Sequence, residues 1–365
     1  MKSLARQKKC WVYKMVYAII LAGGTGSRFW PLSRSLEPKQ FLSICSAKPM
    51  IEETICRLDN LIDKRNIFIA TNEIHNKKIR KCIRKQGIPL SNIFLEPSGK
   101  NTLAPIAILS ERINKIDPDA VILVLPSDHL VKKHAAFLRL LKQGIGIAKR
   151  GNIVTLGICP DRPETGYGYI KAGQKLKDKN GNVYYRTEKY IEKPQLNTAK
   201  KLLRDKKYYW NSGIFIFNPS VMLEEVKKFR SDAYQLIQEM GDVKGLKKMW
   251  QRLPSVSIDY AVMEKTKKMV LLPADYGWMD MGSWEAIAQI LKKDRFGNVI
   301  MGNCVSLESK NTLVWSDNRL IAALGLDNII IVNTKDAVLV CAKDKAQEVK
   351  KLVQILKKRN LKEQT

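Results

Sequence analysis

A glycine run, two basic residues and two distant aspartates are the parts of this sequence best suited to handling phosphate. Gly23-Gly24-Thr25-Gly26-Ser27-Arg28 follows the apolar stretch Val16–Leu21, which reads as a buried strand. A strand running into such a turn presents converging backbone N–H groups with little side-chain bulk, a setting that favours anions. The run lacks the Lys-Ser/Thr ending of a P-loop, and Phe29 stands where G-x-G-x-x-G needs its third glycine. A bare tight turn is the alternative. Arg28 and Lys39 favour the anion reading, because two cations beside an N–H nest suit a polyphosphate. Asp128 follows the apolar run 120–125 and Pro126-Ser127, so it is expected at the carboxyl end of a central strand. Its alternative role is a helix cap or turn carboxylate. Asp280 lies between Gly277-Trp278-Met279 and Met281-Gly282-Ser283-Trp284, where a carboxylate needs a cation or hydrogen-bond donors. Two such carboxylates could hold one hard divalent ion that bridges phosphate oxygens. Glu192-Lys193-Pro194 adds an acid and a base before a proline-fixed turn. Asn211-Ser212-Gly213 precedes the apolar run 214–217 and is either another site loop or a plain turn.

The elements that must position these residues follow from pattern. Residues 66–70 and 153–157 read as strands, and 120–125 as a strand buried on both faces. Residues 73–86, 102–115, 135–149 and 221–240 read as helices, with Asn101 expected to cap the second. This alternation predicts an open α/β sheet. After Gly166 hairpin-like segments appear, with Asn180-Gly181 as a turn. From 296 to 341 helices vanish and short apolar runs (312–315, 320–324, 329–332, 337–340) suggest a small all-β appendage. A basic amphipathic helix over 346–358 closes it.

Composition excludes several classes. The chain has 365 residues, 45% of them hydrophobic, which rules out a disordered or collagen-like protein. Its apolar runs fall far short of the roughly 18–20 residues that span a bilayer. Seven dispersed cysteines read as reduced thiols of a cytoplasmic protein, and three histidines far from them exclude a zinc site. The net charge of +29 invites a nucleic-acid reading, but the lysines are spread along the chain and read as solvated surface. Residues 1–14 carry five positive charges and no negative one. With 15–22 they imitate a signal peptide, but the sequence beyond the glycines continues as structured protein. A frayed extension over 1–14 is therefore expected, with Met15 placed to initiate translation.

The ordered set of motifs resembles the sugar-nucleotide pyrophosphorylases. The resemblance opens over residues 18–34 with Pro38-Lys39-Gln40-Phe41. Its Trp30-Pro31-Leu32-Ser33-Arg34 form is similar to the bacterial mannose-1-phosphate guanylyltransferases. Glu96-Pro97, Lys100-Asn101-Thr102, Pro126-Ser127-Asp128-His129 and Gly166-Tyr167-Gly168-Tyr169-Ile170 follow in order. Then come Glu192-Lys193-Pro194, Trp210-Asn211-Ser212-Gly213, Ser257-Ile258-Asp259-Tyr260 and Asp280-Met281-Gly282-Ser283-Trp284. The resemblance implies a Rossmann-like (GT-A-like) nucleotidyltransferase with a mixed sheet over 15–293, and a β-helix-like appendage with a final helix over 294–365. It implies GTP and mannose 1-phosphate as substrates, GDP-mannose and pyrophosphate as products, and Mg²⁺ as cofactor. Asp128 and Asp280 match metal ligands. Arg28, Lys39 and Lys193 match catalytic positions, Lys193 on the sugar phosphate. Ala22, Gly23, Gly24, Thr25, Gly26, Ser27 and Arg28, with Lys100, Asn101 and Thr102, fall on the nucleotide side, and Gly168, Glu192 and Asn211 on the sugar side. A homodimer is compatible with the family; neither nucleic acid nor membrane is an expected partner.

Two departures stand out. Relatives usually carry serine where this chain has Met279, so Met279→Ser is expected to tighten Mg²⁺ dependence or leave it unchanged. Many relatives also continue into a cupin domain with isomerase activity; this sequence stops at Thr365, and no isomerase activity is expected. The alternative within the class is another base and sugar pair, such as dTTP with glucose 1-phosphate. The alternative outside it is a basic nucleic-acid-binding protein, which calls for a clustered basic face with interleaved aromatics.

Overall fold

The computed structural model describes residues 15–44, 46–240 and 243–361. The expected frayed extension, 1–14, lies outside the described residues. Two compact units are present, each drawn from separated segments. The larger takes the chain up to 23, 52–127 and 131–278; the smaller takes 24–51, 128–130 and 279–365. The boundary expected at 293/294 divides the chain along its length, whereas compactness in space gathers segments far apart in sequence.

The larger unit is built on a nine-stranded sheet. Its strands are β1 (Val16–Leu21), β2 (Ile67–Asn72), β3 (Ile93–Glu96), β4 (Val121–Pro126), β6 (Ile153–Ile158), β7 (Tyr169–Lys177), β8 (Val183–Ile191), β9 (Tyr208–Phe217) and β10 (Met269–Ala274). The short β5 (His129–Val131) pairs separately with β11 (Trp278–Asp280). The sheet order is β3-β2-β1-β4-β9-β6-β10-β8-β7. β1, β2, β3 and β4 run parallel, while β9 is antiparallel to both β4 and β6. The sheet is therefore mixed. Residues 16–20 and 121–125 are buried throughout, as strands covered on both faces must be. β1 and β4 lie side by side, so the start of the glycine run and Ser127 emerge at the same carboxyl edge. Ser127 N–H donates to Leu21 O there.

The hairpin expected at Asn180-Gly181 joins β7 to β8, with Gly181 at φ 80° and Asp178 accepting from the Asn180 and Asn182 N–H groups. The single helix expected over 221–240 is two, Pro219–Phe229 and Ser231–Gln238. Arg230 leaves helical geometry between them (φ −144°, ψ 60°) and pairs with Asp232 in the first turn of the second helix. Ser231 and Asp232 favour a helix start over a helix middle. The cap expected at Asn101 is also displaced. The helix runs Leu103–Ile116 with Thr102 at its cap position and no side-chain cap bond, because the Thr102 hydroxyl accepts from Ile258 N–H instead.

In the smaller unit, β12 (Val299–Leu307), β13 (Leu313–Leu324), β14 (Ile329–Asn333) and β15 (Val338–Ala342) form one sheet in that order. The first three are parallel and β15 returns antiparallel. The runs at 312–315 and 320–324 are one continuous strand, not two. β12 had no clear pattern because Gly302-Asn303 interrupts its alternation with a register shift. Val299, Leu313, Ile330, Val332 and Leu339 share a core with Phe29, Trp30, Met281, Trp284 and Val353 of the final helix, Val349–Lys358. Phe29 packs on Trp284 at 5.6 Å between centroids, and the Trp284 indole N–H donates to Trp30 O. The aromatics that follow the glycine run are thus anchors in the core of the β-rich unit. Among the described residues, no helix is long and apolar enough to cross a membrane, and Cys82, Cys159, Cys304 and Cys341 are free thiols.

Candidate active site

In the smaller unit the glycine run turns at Gly26, whose φ is 63°. Its carbonyl accepts from Phe29 N–H and from the Ser33 hydroxyl (2.7 Å), closing the short turn Ser27–Phe29. A Cβ at Gly26 would lie 2.8 Å from the backbone nitrogen of Lys39, so glycine lets the segment carrying Lys39 pass this close. Lys39 Nζ stands 2.6 Å from Asp128 Oδ2 and 3.8 Å from Asp280 Oδ1, and donates to Met281 O at 3.0 Å. Burial alone would lower the pKa of this ammonium. The two carboxylates outweigh burial and hold it above its ordinary value, although Arg28 opposes them. Burial acts on Asp128 in the other direction, and Lys39 and His129 prevail to hold its carboxyl below the usual range. Arg28 Nε is buried and finds no hydrogen-bond partner among the described residues, an unspent donor beside the turn.

The donors for a cation follow from the same geometry. Asp128 and Asp280 converge on one point charge, here the lysine ammonium. Gly282, whose Cβ would lie 3.3 Å from Asp280 Oδ2, leaves that carboxylate room. Among the described residues no group of three or more His, Cys, Asp or Glu side chains converges. Two hard carboxylates without a full protein cage fit a magnesium-like ion that takes its other ligands from phosphates and water.

Within the larger unit a second cluster gathers Gly168, Glu192, Lys193 and Asn211 with two residues the motifs gave no role, Tyr190 and Asp259. The Tyr190 hydroxyl is the hub. It lies 2.7 Å from Asn211 Nδ2, 2.8 Å from Asp259 Oδ1 and 3.1 Å from Glu192 Oε2. Asn211 Oδ1 accepts from the Thr155 hydroxyl and Gly213 N–H, so its amide is fully engaged within the protein. Glu192 pairs with Lys193 through Oε1 and is 7% exposed, while Lys193 reaches solvent from a backbone at φ 46°. A Cβ at Gly168 would sit 2.5 Å from Glu192 Oε2, which explains the glycine there. Burial, then Glu192, pushes the Asp259 carboxyl up to about 6. Tyr190 could have been suspected from its place two residues before Glu192, near the end of β8.

Glu96 is a third buried acid, 5% exposed, pushed up to about 7 by burial against a Lys100 N–H that favours its charge. A Cβ at Gly23 would lie 3.1 Å from its Oε1. The expected nucleotide-side trio is more structural than chemical in its contacts. Lys100 Nζ donates to Gln251 O, Asn101 Oδ1 accepts from Thr102 N–H, and Thr102 braces Ile258.

Residues 17–295 match the Nucleotidyl transferase family, and 302–356 match the MannoseP isomerase/GMP-like beta-helix domain. The chain belongs to the nucleotidyl transferase family. It is 41% identical over 355 residues to mannose-1-phosphate guanylyltransferase 2 of Escherichia coli O157:H7, covering 94% of this chain and 73% of that one. It is 42% identical over 350 residues to the xanthan biosynthesis protein XanB of Xanthomonas campestris pv. campestris, with 94% and 73% covered. A solved structure titled mannose-1-phosphate geranyltransferase, from Thermus thermophilus, superposes with a TM-score of 0.83 at 32% identity, covering 94% of this chain and 99% of that one. The expected α/β nucleotidyltransferase fold with a β-helix-like C-terminal domain is thereby borne out.

Met279, singled out for its place beside Asp280, also has a packing role. Its side chain packs against the core that contains Phe29, Trp30, Met281 and Trp284. Met279→Ser removes apolar contact and is expected to destabilise by about 1–2 kcal/mol, read as a lowered melting temperature. An unchanged melting temperature would show that the methionine is replaceable packing.

Proposed function

We propose that the chain makes GDP-mannose and pyrophosphate from GTP and mannose 1-phosphate, with Mg²⁺ as the divalent cation. The observation that carries this reading is Lys39, held between Asp128 and Asp280 beside the Gly26 turn, in a chain whose relatives bear the guanylyltransferase name. An oxygen of the sugar phosphate attacks the α-phosphorus in line, and the bond to the departing pyrophosphate breaks as the new P–O bond forms. No side chain needs to become covalently attached, so the protein's work is positioning and charge neutralisation.

The backbone of residues 22–27 and the free Nε of Arg28 receive triphosphate oxygens. Lys39 adds a strongly hydrated point charge that either carboxylate or phosphate can hold. A divalent ion held by Asp128 and Asp280 would supply Lewis-acid polarisation of phosphate oxygens. Lys193, exposed and paired with Glu192, takes the sugar phosphate, while Gly168 and Glu192 face the sugar. Asn211 lies on the sugar side as well, its amide engaged with Tyr190, Asp259, Thr155 and Gly213. Lys100, Asn101 and Thr102 belong to the nucleotide side through the segment they brace.

The test is pyrophosphate release with each of GTP, ATP, CTP, UTP and dTTP, against mannose 1-phosphate and glucose 1-phosphate, with Mg²⁺ and with chelator. The highest kcat/KM is expected for GTP with mannose 1-phosphate, with loss of turnover on chelation. Higher turnover with dTTP and glucose 1-phosphate would overturn the assignment.

A further inference from the structure

One tyrosine proton lies between two acids in the larger unit. The Tyr190 hydroxyl carries a single hydrogen and already receives the Asn211 Nδ2 donor at 2.7 Å. Two carboxylate oxygens then compete for that hydrogen, Asp259 Oδ1 at 2.8 Å and Glu192 Oε2 at 3.1 Å. The network assigns it to Asp259. That oxygen is nearer, and Glu192 is already neutralised by Lys193 on its other oxygen. Glu192 Oε2 therefore faces the oxygen of the tyrosine without receiving its proton. A buried carboxylate oxygen in that position needs a donor from elsewhere.

We propose that Asp259 is a positioning residue for sugar recognition: it turns the Tyr190 hydroxyl proton away from Glu192, leaving Glu192 Oε2 as the acceptor for a hydroxyl of the sugar phosphate. The inference rests on the reading of this cluster as the sugar side of a sugar-1-phosphate nucleotidyltransferase. It deepens that reading by naming a residue that acts through another. Asp259 opens a single π-helical turn, Asp259–Met263, which aims its side chain at β8 and β9; such turns recur at functional sites. The start of that segment is braced by Thr102, whose hydroxyl takes Ile258 N–H. The ionisable groups around Asp259 are Glu192, Lys193 and Tyr190 on the facing elements, with Tyr260 and Glu264 on its own. Burial and Glu192 raise the carboxyl only to about 6, so near neutral pH it is ionised and remains the stronger claimant for the proton.

In Asp259→Asn the amide is a weaker acceptor. The tyrosine proton swings to Glu192 Oε2, where it competes with the sugar hydroxyl. Losing a hydrogen bond to a charged acceptor predicts a KM for the sugar 1-phosphate raised about tenfold, with kcat and the KM for the nucleotide changed less than about twofold. Tyr190→Phe removes the competing proton. Alone it should leave the sugar-phosphate KM within about threefold of wild type, and added to Asp259→Asn it should recover most of the lost affinity. A merely structural Asp259 would give a double variant no better than the single one.

The experiment measures steady-state kinetics of wild type, both single variants and the double variant, with melting temperatures alongside, using whichever sugar 1-phosphate and nucleotide the wild type turns over. Selective loss in Asp259→Asn with recovery in the double variant supports the proposal. An unchanged sugar-phosphate KM, an equal rise in both KM values, or additive losses in the double variant would overturn it. If Asp259→Asn does not fold, Tyr190→Phe decides: a tenfold rise in its sugar-phosphate KM would make the hydroxyl itself the sugar contact and refute the assignment. A wild type that releases no pyrophosphate with any sugar 1-phosphate overturns the underlying functional reading instead.

Discussion

Asp280→Asn is expected to lower pyrophosphate release by at least about a hundredfold while leaving the melting temperature within a few degrees of wild type. The two carboxylates that face Lys39 are not equivalent. Asp128 makes the close ion pair at 2.6 Å, whereas Asp280 stands at 3.8 Å and is 29% exposed. Removing the charge of Asp280 leaves the ammonium paired, so the fold loses little. A divalent ion would lose one of its two protein carboxylates, and with it charge and geometry together. Asp128→Asn should show the same loss of turnover and a visible loss of stability, because it leaves a largely buried ammonium without its near partner. Breaking a buried pair typically costs about 3–5 kcal/mol; the 22% exposure of the Asp128 side chain argues for about 2–3 kcal/mol here. Activity measured against Mg²⁺ concentration, with thermal melts of both variants, checks the pair. Near-wild-type turnover of Asp280→Asn at saturating Mg²⁺ would remove that residue from the cation site.

The two glycines either side of Thr25 should respond in opposite ways. Gly26 sits at φ 63°, and a Cβ there would come within 2.8 Å of the Lys39 nitrogen, a backbone atom that cannot step aside. Gly26→Ala therefore combines about 1–2 kcal/mol of left-handed strain with displacement of the segment that carries Lys39. If Lys39 acts on the triphosphate, misplacing it by about an ångström is enough for a hundredfold loss in kcat/KM. A lowered melting temperature should accompany that loss. A Cβ at Gly24 would meet no atom of the described residues within 4 Å, so Gly24→Ala should leave stability unchanged. If the turn cradles phosphate, the added methyl projects where the anion must approach, and the KM for the nucleotide should rise about tenfold. Equal behaviour of the two variants in both measurements would show that the run is a turn and nothing more.

Much of the candidate site was legible because it is encoded locally. A continuous apolar run ending in glycines marks β1 and the turn after it, whatever surrounds them. The same holds for β4, whose run of buried residues stops at Pro126, shortly before Asp128. These patterns reflect burial on both faces of a central strand and the steric freedom of glycine, properties that a few adjacent residues carry by themselves. Where local signals conflicted, the reading slipped. The break at Arg230 lay inside an apparently continuous helical pattern, and the Thr102 hydroxyl was claimed by a residue more than a hundred positions away.

What the sequence determined alone, then, is the nucleotidyltransferase class, the α/β architecture with its β-rich C-terminal part, and a set of residue types suited to phosphate. Only the tertiary structure decided which side chains stand together. Lys39 reaches Met281 O across 242 positions, and Asp259 reaches Tyr190 across 69. The glycine run shares a core with the C-terminal strands through Phe29 and Trp30. Periodicity and turn chemistry act over a few residues and leave their mark in any short window. The sharing of one proton or one cation between distant groups depends on ångström-scale distances that packing alone sets.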